Sequence, residues 1–187
     1  DAVQLPSADY GDLVLTADAE TLFVVGLNVA ETSGVSVVRV ACDGRLTVGE
    51  DAFLNLRLAQ SMALLPGEER AVLLGGQTVF EPVDPNDMRL LERDGDGWQE
   101  IGAFDIFGDF IDASRIGLSP DGQLALVPNG SPFSDDGGQV SVIAVEGDTL
   151  REVNRLTDMP DVREAYFHPD GQNIVLTLLE PGQVKVL

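Results

Sequence analysis

One phrase recurs four times along the chain. Ser119-Pro120-Asp121-Gly122-Gln123 leads into the apolar run Leu124-Ala125-Leu126-Val127, and His168-Pro169-Asp170-Gly171-Gln172 leads into Asn173-Ile174-Val175-Leu176. Weaker copies are Thr16-Ala17-Asp18-Ala19-Glu20 before Thr21-Leu22-Phe23-Val24, and Leu65-Pro66-Gly67-Glu68-Glu69 before Arg70-Ala71-Val72-Leu73. Residues 17, 66, 120 and 169 are therefore equivalent anchors, spaced by 49, 54 and 49 residues. A tight turn between strands, repeated every 40–50 residues or so, is the pattern of β-propeller blades.

Each copy predicts the same order of four antiparallel strands. A short innermost strand precedes the turn: Leu13 to Leu15, Met62 to Leu64, Ile116 to Leu118 and Ala165 to Phe167. Asp and Gly in the turn supply the left-handed backbone of a tight hairpin. The second strand is apolar throughout, as expected where neighbouring sheets cover both faces. A variable loop leads to a third strand, Val35 to Val40, Met88 to Arg93, Val140 to Val145 or Val184 to Leu187. A second hairpin then leads to an outer strand such as Leu46 to Val48, Trp98 to Ile101 or Leu150 to Val153. The segment Leu54 to Leu64 also admits a helix. The fold class is all-β: a β-propeller of about four four-stranded antiparallel blades in one domain, 1–187. The repeats run approximately over 7–54, 55–108, 109–158 and 159–187, with 1–6 as an outer strand. Ala2-Val3-Gln4-Leu5 lacks a blade of its own, and the fourth repeat stops on its third strand. A ring of four closed by that exchange, a part of a larger ring, or two chains combined would each account for this. The part or paired ring is the favoured expectation.

Charge bounds the partners. The chain carries 32 acidic against 11 basic residues, a net charge of -21, with Lys185 its single lysine. Such a surface repels phosphate backbones and anionic lipid, so neither nucleic acid nor membrane insertion is expected. No apolar run approaches the roughly 18 residues of a membrane helix. Hydrophobic residues at 44% are enough for a packed core. Cys42 is alone, which excludes an internal disulfide, and its apolar neighbourhood predicts a small buried hydrophobe. A periplasmic or extracellular address is suspected.

The segment Ser119 to Asn129, Ser-Pro-Asp-Gly followed by an apolar strand ending in Asn, resembles the YVTN-type, lactonase-like propeller repeat. The resemblance covers nearly the whole chain as four copies of differing quality, and no Trp-Asp dipeptide suggests the WD-repeat group. Relatives of this type include sugar-lactone hydrolases, quinone-dependent amine dehydrogenase heavy chains, and secreted or surface-layer proteins. Fold similarity does not choose among these.

Residue chemistry narrows the choice. The sole histidine, His168, falls in a turn at the end opposite the usual ligand mouth, so hydrolase triads have no imidazole base. It reads as a turn residue bonding locally, and no catalytic residue is assigned. Asp94-Gly95-Asp96-Gly97 begins like a calcium loop but lacks the later ligands, and aligns with the hairpin Asp43-Gly44. The candidate ligand-binding residues lie on loops expected at the mouth: Asp105, Asp109 and Asp112; Asp135 and Asp136; and Asp158, Asp161 and Arg163. No motif requires a cofactor, and the group such carboxylates could hold is a divalent cation such as calcium. The first expectation is a non-catalytic binding or interaction module with an acidic loop face. Its partner would be a protein or the remaining blades of a larger propeller, and self-association is allowed. The alternatives are a lactonase-like, metal-dependent hydrolase and a structural module of a secreted or surface assembly.

Overall fold

A computed structural model of the chain describes residues 2, 3, 5, 9–27, 34–49, 59–75, 88–95, 97–106, 115–129, 138–178 and 182–187. The first sheet consists of β1 (Asp9–Leu15), β2 (Thr21–Leu27), β3 (Gly34–Val40) and β4 (Leu46–Val48), hydrogen-bonded in chain order. The second consists of β5 (Ala59–Leu64), β6 (Arg70–Gly75), β7 (Met88–Asp94) and β8 (Gly97–Phe104) in the same order. The third repeats it with β9 (Gly117–Leu118), β10 (Leu124–Asn129), β11 (Gly138–Glu146) and β12 (Thr149–Met159). The fourth has β13 (Val162–Phe167), β14 (Ile174–Leu178) and β15 (Gln183–Val186). Every pairing is antiparallel. The four sheets form a β-propeller, as the repeat predicts, and no helix occurs among the described residues.

Two local readings change. Residues 59–64 of the ambiguous segment are strand, because pairing Met62 with Leu73 and Leu64 with Ala71 completes a sheet face. Cys42 is exposed, not buried, because it lies in the hairpin between β3 and β4, where the apolar alternation has ended. At the start of the chain, Val3 and Leu5 belong to no described strand and border a cavity against the first sheet, whereas β15 has a single described strand neighbour, β14.

The sheets are held together by seams in which equivalent positions meet. Met62, Ala71 and Leu73 of the second sheet pack on Phe23, Val25 and Val37 of the first. Ile116, Ala125 and Val127 of the third pack on Val72, Leu74 and Leu90 of the second. Ala165, Leu176 and Ile174 of the fourth pack on Leu126, Val140 and Val142 of the third. Alternation along each second strand thus sends successive side chains to opposite neighbours, which is why these strands are apolar without interruption. Phe23 and Trp98 add an edge-to-face ring pair at 5.5 Å to the first seam.

The turns between first and second strands stack on one another at one end of the molecule. A Cβ at Gly122 would collide with the Pro66 ring, and one at Gly171 would stand 3.7 Å from Cδ of Pro120. The proline of one turn therefore lies against the left-handed residue of the next. Glu68 and Ala19 occupy that left-handed position in the weaker copies, both at φ 60°. Where the first turn has Ala17 in place of proline, the free Ala17 N–H donates to Glu68 Oε1 at 2.7 Å. The outer rim of the second seam is tied by Arg70, which donates to Gly147 O at 2.5 Å and to the Asp148 carboxylate at 2.9 Å.

Within a turn the aspartate has a defined task. Asp121 accepts the Ser119 hydroxyl at 2.6 Å and the Gln123 N–H at 3.1 Å. Asp18 repeats this with the Thr16 hydroxyl at 2.6 Å and the Glu20 N–H at 2.9 Å. Asp170 accepts N–H groups of Gln172 at 2.9 Å and Asn173 at 3.2 Å. Hydroxyl donation from Ser119 and Thr16, followed by the backbone donors, holds Asp121 and Asp18 below the usual carboxylate range. The Gln172 N–H, then Asn173, lowers Asp170 to about 2. A depressed carboxylate stabilises the fold fully above its unfolded pKa near 3.9, and that contribution vanishes as pH falls through the folded value. Urea unfolding from pH 7 to pH 2 should therefore show wild type losing more stability below pH 4 than the Asp121→Asn, Asp170→Asn double variant. The comparison with the variant separates this from the relief of general charge repulsion on acidification, and equal slopes would refute the assignment.

Candidate functional site

Three inner strands carry a β-bulge at the same place, six residues before the anchor. Gly11 is the extra residue between Tyr10 and Asp12, Gln60 between Ala59 and Ser61, and Arg163 between Val162 and Glu164. A bulge shifts the side-chain phase and re-aims the residue that follows. The next position, five before each anchor, is polar in every repeat: Asp12, Ser61, Arg115 and Glu164. The residue after it is apolar each time, as Leu13, Met62, Ile116 and Ala165.

These polar residues form one network across the inner strands. The Ser61 hydroxyl donates to Asp12 Oδ2 at 2.8 Å and accepts the Ile116 N–H at 3.2 Å. Arg115 stands 3.8 Å from Asp12 Oδ1, joining the third sheet to the first. Its guanidinium is hydrogen-bonded to Tyr166, and this bond, followed by the Asp12 charge, raises its pKa; Glu164 acts in the same direction. Ser61 is buried and the Asp12 side chain nearly so, whereas the Arg115 side chain is half-exposed. The network thus places a guanidinium beside the Asp12 carboxylate and under the influence of the Glu164 charge, midway along the inner strands and away from the stacked turns. A cavity of about 510 Å³ adjoins it, walled by Leu13, Leu22, Val24 and Val38 with Asp12 and Arg115 at its polar end.

The expected mouth residues are only partly placed. Asp109, Asp112, Asp135 and Asp136 lie outside the described residues. Asp105 is exposed at the start of the connection that leaves β8. Asp158 is exposed near the end of β12 at φ 58° and accepts the Thr157 hydroxyl at 3.3 Å. Asp161 and Arg163 are brought together, 3.7 Å apart, at the entry to β13, and Asp161 Oδ1 is buried without a hydrogen-bond donor. One carboxylate beside a guanidinium does not supply the six to eight oxygens of a calcium site. Among the described residues no group of three or more His, Cys, Asp or Glu side chains could hold a metal ion. Asp94 pairs with Gly97 across the hairpin of β7 and β8, with Asp96 outside the described residues. His168 lies in the fourth turn with Nδ1 2.9 Å from Asp170, at the end away from this network.

No family model matches the chain, and no curated protein matches its sequence. Solved structures do match. A putative 6-phosphogluconolactonase from Bacteroides uniformis superposes with a TM-score of 0.72 at 14% identity, covering 95% of this chain and 49% of that one. A Lactobacillus plantarum protein gives 0.65 at 20% identity, covering 95% and 54%. Kuenenia stuttgartiensis hydrazine synthase gives 0.68 at 15% identity, covering 88% and 42%. These likenesses establish the fold, a β-propeller whose neighbours include lactonase-like members. The chain spans about half the length of the structures it matches.

The Asp12 network makes a stability prediction. Asp12→Ala leaves the buried Ser61 hydroxyl without its acceptor and should cost about 1–3 kcal/mol in urea unfolding. Asp12→Asn keeps an acceptor oxygen and should cost less than half as much. Equal losses for the two variants would show that the hydrogen bond is not what holds the inner strands.

Proposed function

We propose that the chain is a YVTN-type propeller acting as a non-catalytic binding module, with an acidic mouth that takes a cationic group of a protein or small ligand. The observation that carries this reading is the polar network of Asp12, Ser61, Arg115 and Glu164, one residue from each repeat at the same position of the inner strands. Its two carboxylates outnumber its one guanidinium, Asp105 and Asp161 stand on the connections that leave β8 and enter β13, and Asp158 stands near the end of β12. Asp109, Asp112, Asp135 and Asp136 belong to the sequence of the same acidic connections and are part of this proposal. Half-exposed Arg115 and its flanking carboxylates offer a fork of donors and acceptors, and such fixed polar groups confer orientation on a bound ligand. The net charge of -21 favours a cationic partner at long range and a periplasmic or extracellular setting is part of the same reading.

A second reading is lactonase-like hydrolysis with a divalent cation such as calcium held by the mouth carboxylates. It is favoured by the similarity to a protein named as a 6-phosphogluconolactonase. The bound ion would activate water or polarise the lactone carbonyl.

Calorimetric titration with tetra-arginine peptide distinguishes the two. Binding should weaken at least about tenfold in Glu164→Gln, corresponding to the loss of one charge-assisted contact. Asp43→Asn, on a hairpin at the opposite end, should leave it unchanged. Equal effects of the two substitutions would reduce the interaction to net charge and contradict the mouth reading. Lactone hydrolysis above the buffer rate, abolished by chelator, would establish the second reading instead.

A further inference from the structure

The third and outer strands of the two central sheets share a polar arrangement that neither the turns nor the inner strands use. Both outer strands bulge at one residue, Ile101 opposite Leu90 and Leu91, and Val153 opposite Val142 and Ile143. The residue before each bulge is a glutamate, Glu100 in β8 and Glu152 in β12. Two residues beyond the bulge, Ala103 pairs with Arg89 and Arg155 pairs with Ser141. Each of these cross-strand pairs holds one arginine and one small residue, with the arginine on the third strand in one sheet and on the outer strand in the next. The bulge brings each glutamate onto the face of that pair, because a residue added to one strand reverses its alternation. Arg89 Nη1 accordingly lies 3.2 Å from Glu100 Oε1, and Arg155 Nε and Nη2 lie 2.7 and 3.0 Å from the two Glu152 oxygens.

Arg155 also reaches across to the second sheet. Its Nη2 donates to Ile106 O at 2.6 Å, and its Nη1 donates to Gln139 Oε1 at 3.4 Å. Buried Ser141 donates to Glu152 Oε1 at 2.7 Å, so the carboxylate that holds the guanidinium is itself held. Burial opposes the Glu152 charge, but donation from Arg155 and then Ser141 outweighs it and keeps the carboxyl below its usual range. Ile106 is the second residue past β8, and its side chain is buried in the core between the second and third sheets. Asp105 therefore stands between Phe104, paired with Met88, and an Ile106 tied through both side chain and carbonyl.

We propose that Arg155 is a positioning residue of the mouth: by holding the Ile106 carbonyl across the seam, it sets the direction in which Asp105 leaves β8. The role given to Asp105 rests on the binding reading above, whereas the hydrogen bonds of Arg155 stand without it. One planar guanidinium serves Glu152, Gln139 and Ile106 at once, so its orientation is fixed and it acts as a strut. A cation beside a site for cationic groups would repel the ligand, and here Glu152 neutralises it.

Charge and position make opposite forecasts for Arg155→Ala. Loss of a positive charge should tighten the binding of tetra-arginine peptide, whereas loss of the strut should weaken it. The expected result in calorimetric titration is a Kd raised about tenfold, the worth of one charge-assisted hydrogen bond. Amide hydrogen exchange at residues 104–106 should quicken by about the same factor, since a strand end held by fewer bonds opens locally. Arg70→Ala is the control, because Arg70 ties the same two sheets at the opposite rim through Gly147 O and Asp148 and carries the same charge. It should leave exchange at 104–106 unchanged and binding no weaker. Arg155→Lys keeps the charge but loses the fork, so it should also weaken binding and quicken exchange, and it decides the matter should Arg155→Ala fail to fold. Unchanged exchange at 104–106 in the folded variants, quickening matched by Arg70→Ala, or binding as tight as that of a wild type that does bind would each overturn the proposal. A wild type that binds no tetra-arginine would sink the mouth reading instead, and the exchange result alone would then decide whether Arg155 fixes the connection.

Discussion

The structure depends on sheets too narrow to bury themselves. A three- or four-stranded sheet has two faces, and here the second strands make both of them apolar. Stability then has to come from stacking sheet on sheet. Burying Leu73, Leu74, Leu90 and Leu91 completely requires neighbours on both sides of the second sheet, and each such side chain contributes roughly 1.5–3 kcal/mol when removed from water.

The two ends of the stack do different work. At one end, short turns lock into each other through proline, left-handed residues and capped aspartates, which leaves them little freedom. At the other, long connections and bulges break the regular ladder. A bulge costs pairing at one residue, yet it lets Asp12 leave the alternation of its strand to meet Ser61 and Arg115, with the Glu164 charge acting on the same guanidinium. Rigid turns on one side thus support polar irregularity on the other, an arrangement common where loops carry binding.

Much of the fold was legible because the turn chemistry is local. Asp121 and Gly122 each have a task within five residues, so the phrase announces its structure wherever it occurs, and the apolar second strands mark sheets covered on both faces. The weaker copies were harder to read for a physical reason. Glu68 in place of glycine looks like a decayed motif, but its carboxylate binds the N–H that Ala17 retains by not being proline. That pair spans two repeats and shows only when they are stacked. The polar network escaped for a similar reason, since a bulge reverses the inward and outward sense of a strand and cannot be seen from alternation alone. Aligning the repeats on their anchors would have exposed it, because the position is polar in all four while its neighbour is apolar. Cys42 was misplaced by extending the alternation of β3 one step beyond its end. The acidic loops were read from composition, and Asp161 with Arg163 is the pair that the described residues bring together.

The account rests on turns stacked in register from sheet to sheet, and the first seam tests that most directly. Ala17→Pro removes the N–H, Glu68→Gly removes its acceptor, and together they convert this seam to the proline-on-glycine form of the other two. A double-mutant cycle by urea unfolding should show favourable coupling of about 1 kcal/mol, the combined variant being more stable than the sum of the single changes allows. Additive effects would mean that residues 17 and 68 do not meet, and the stacking that orders the four sheets would be contradicted.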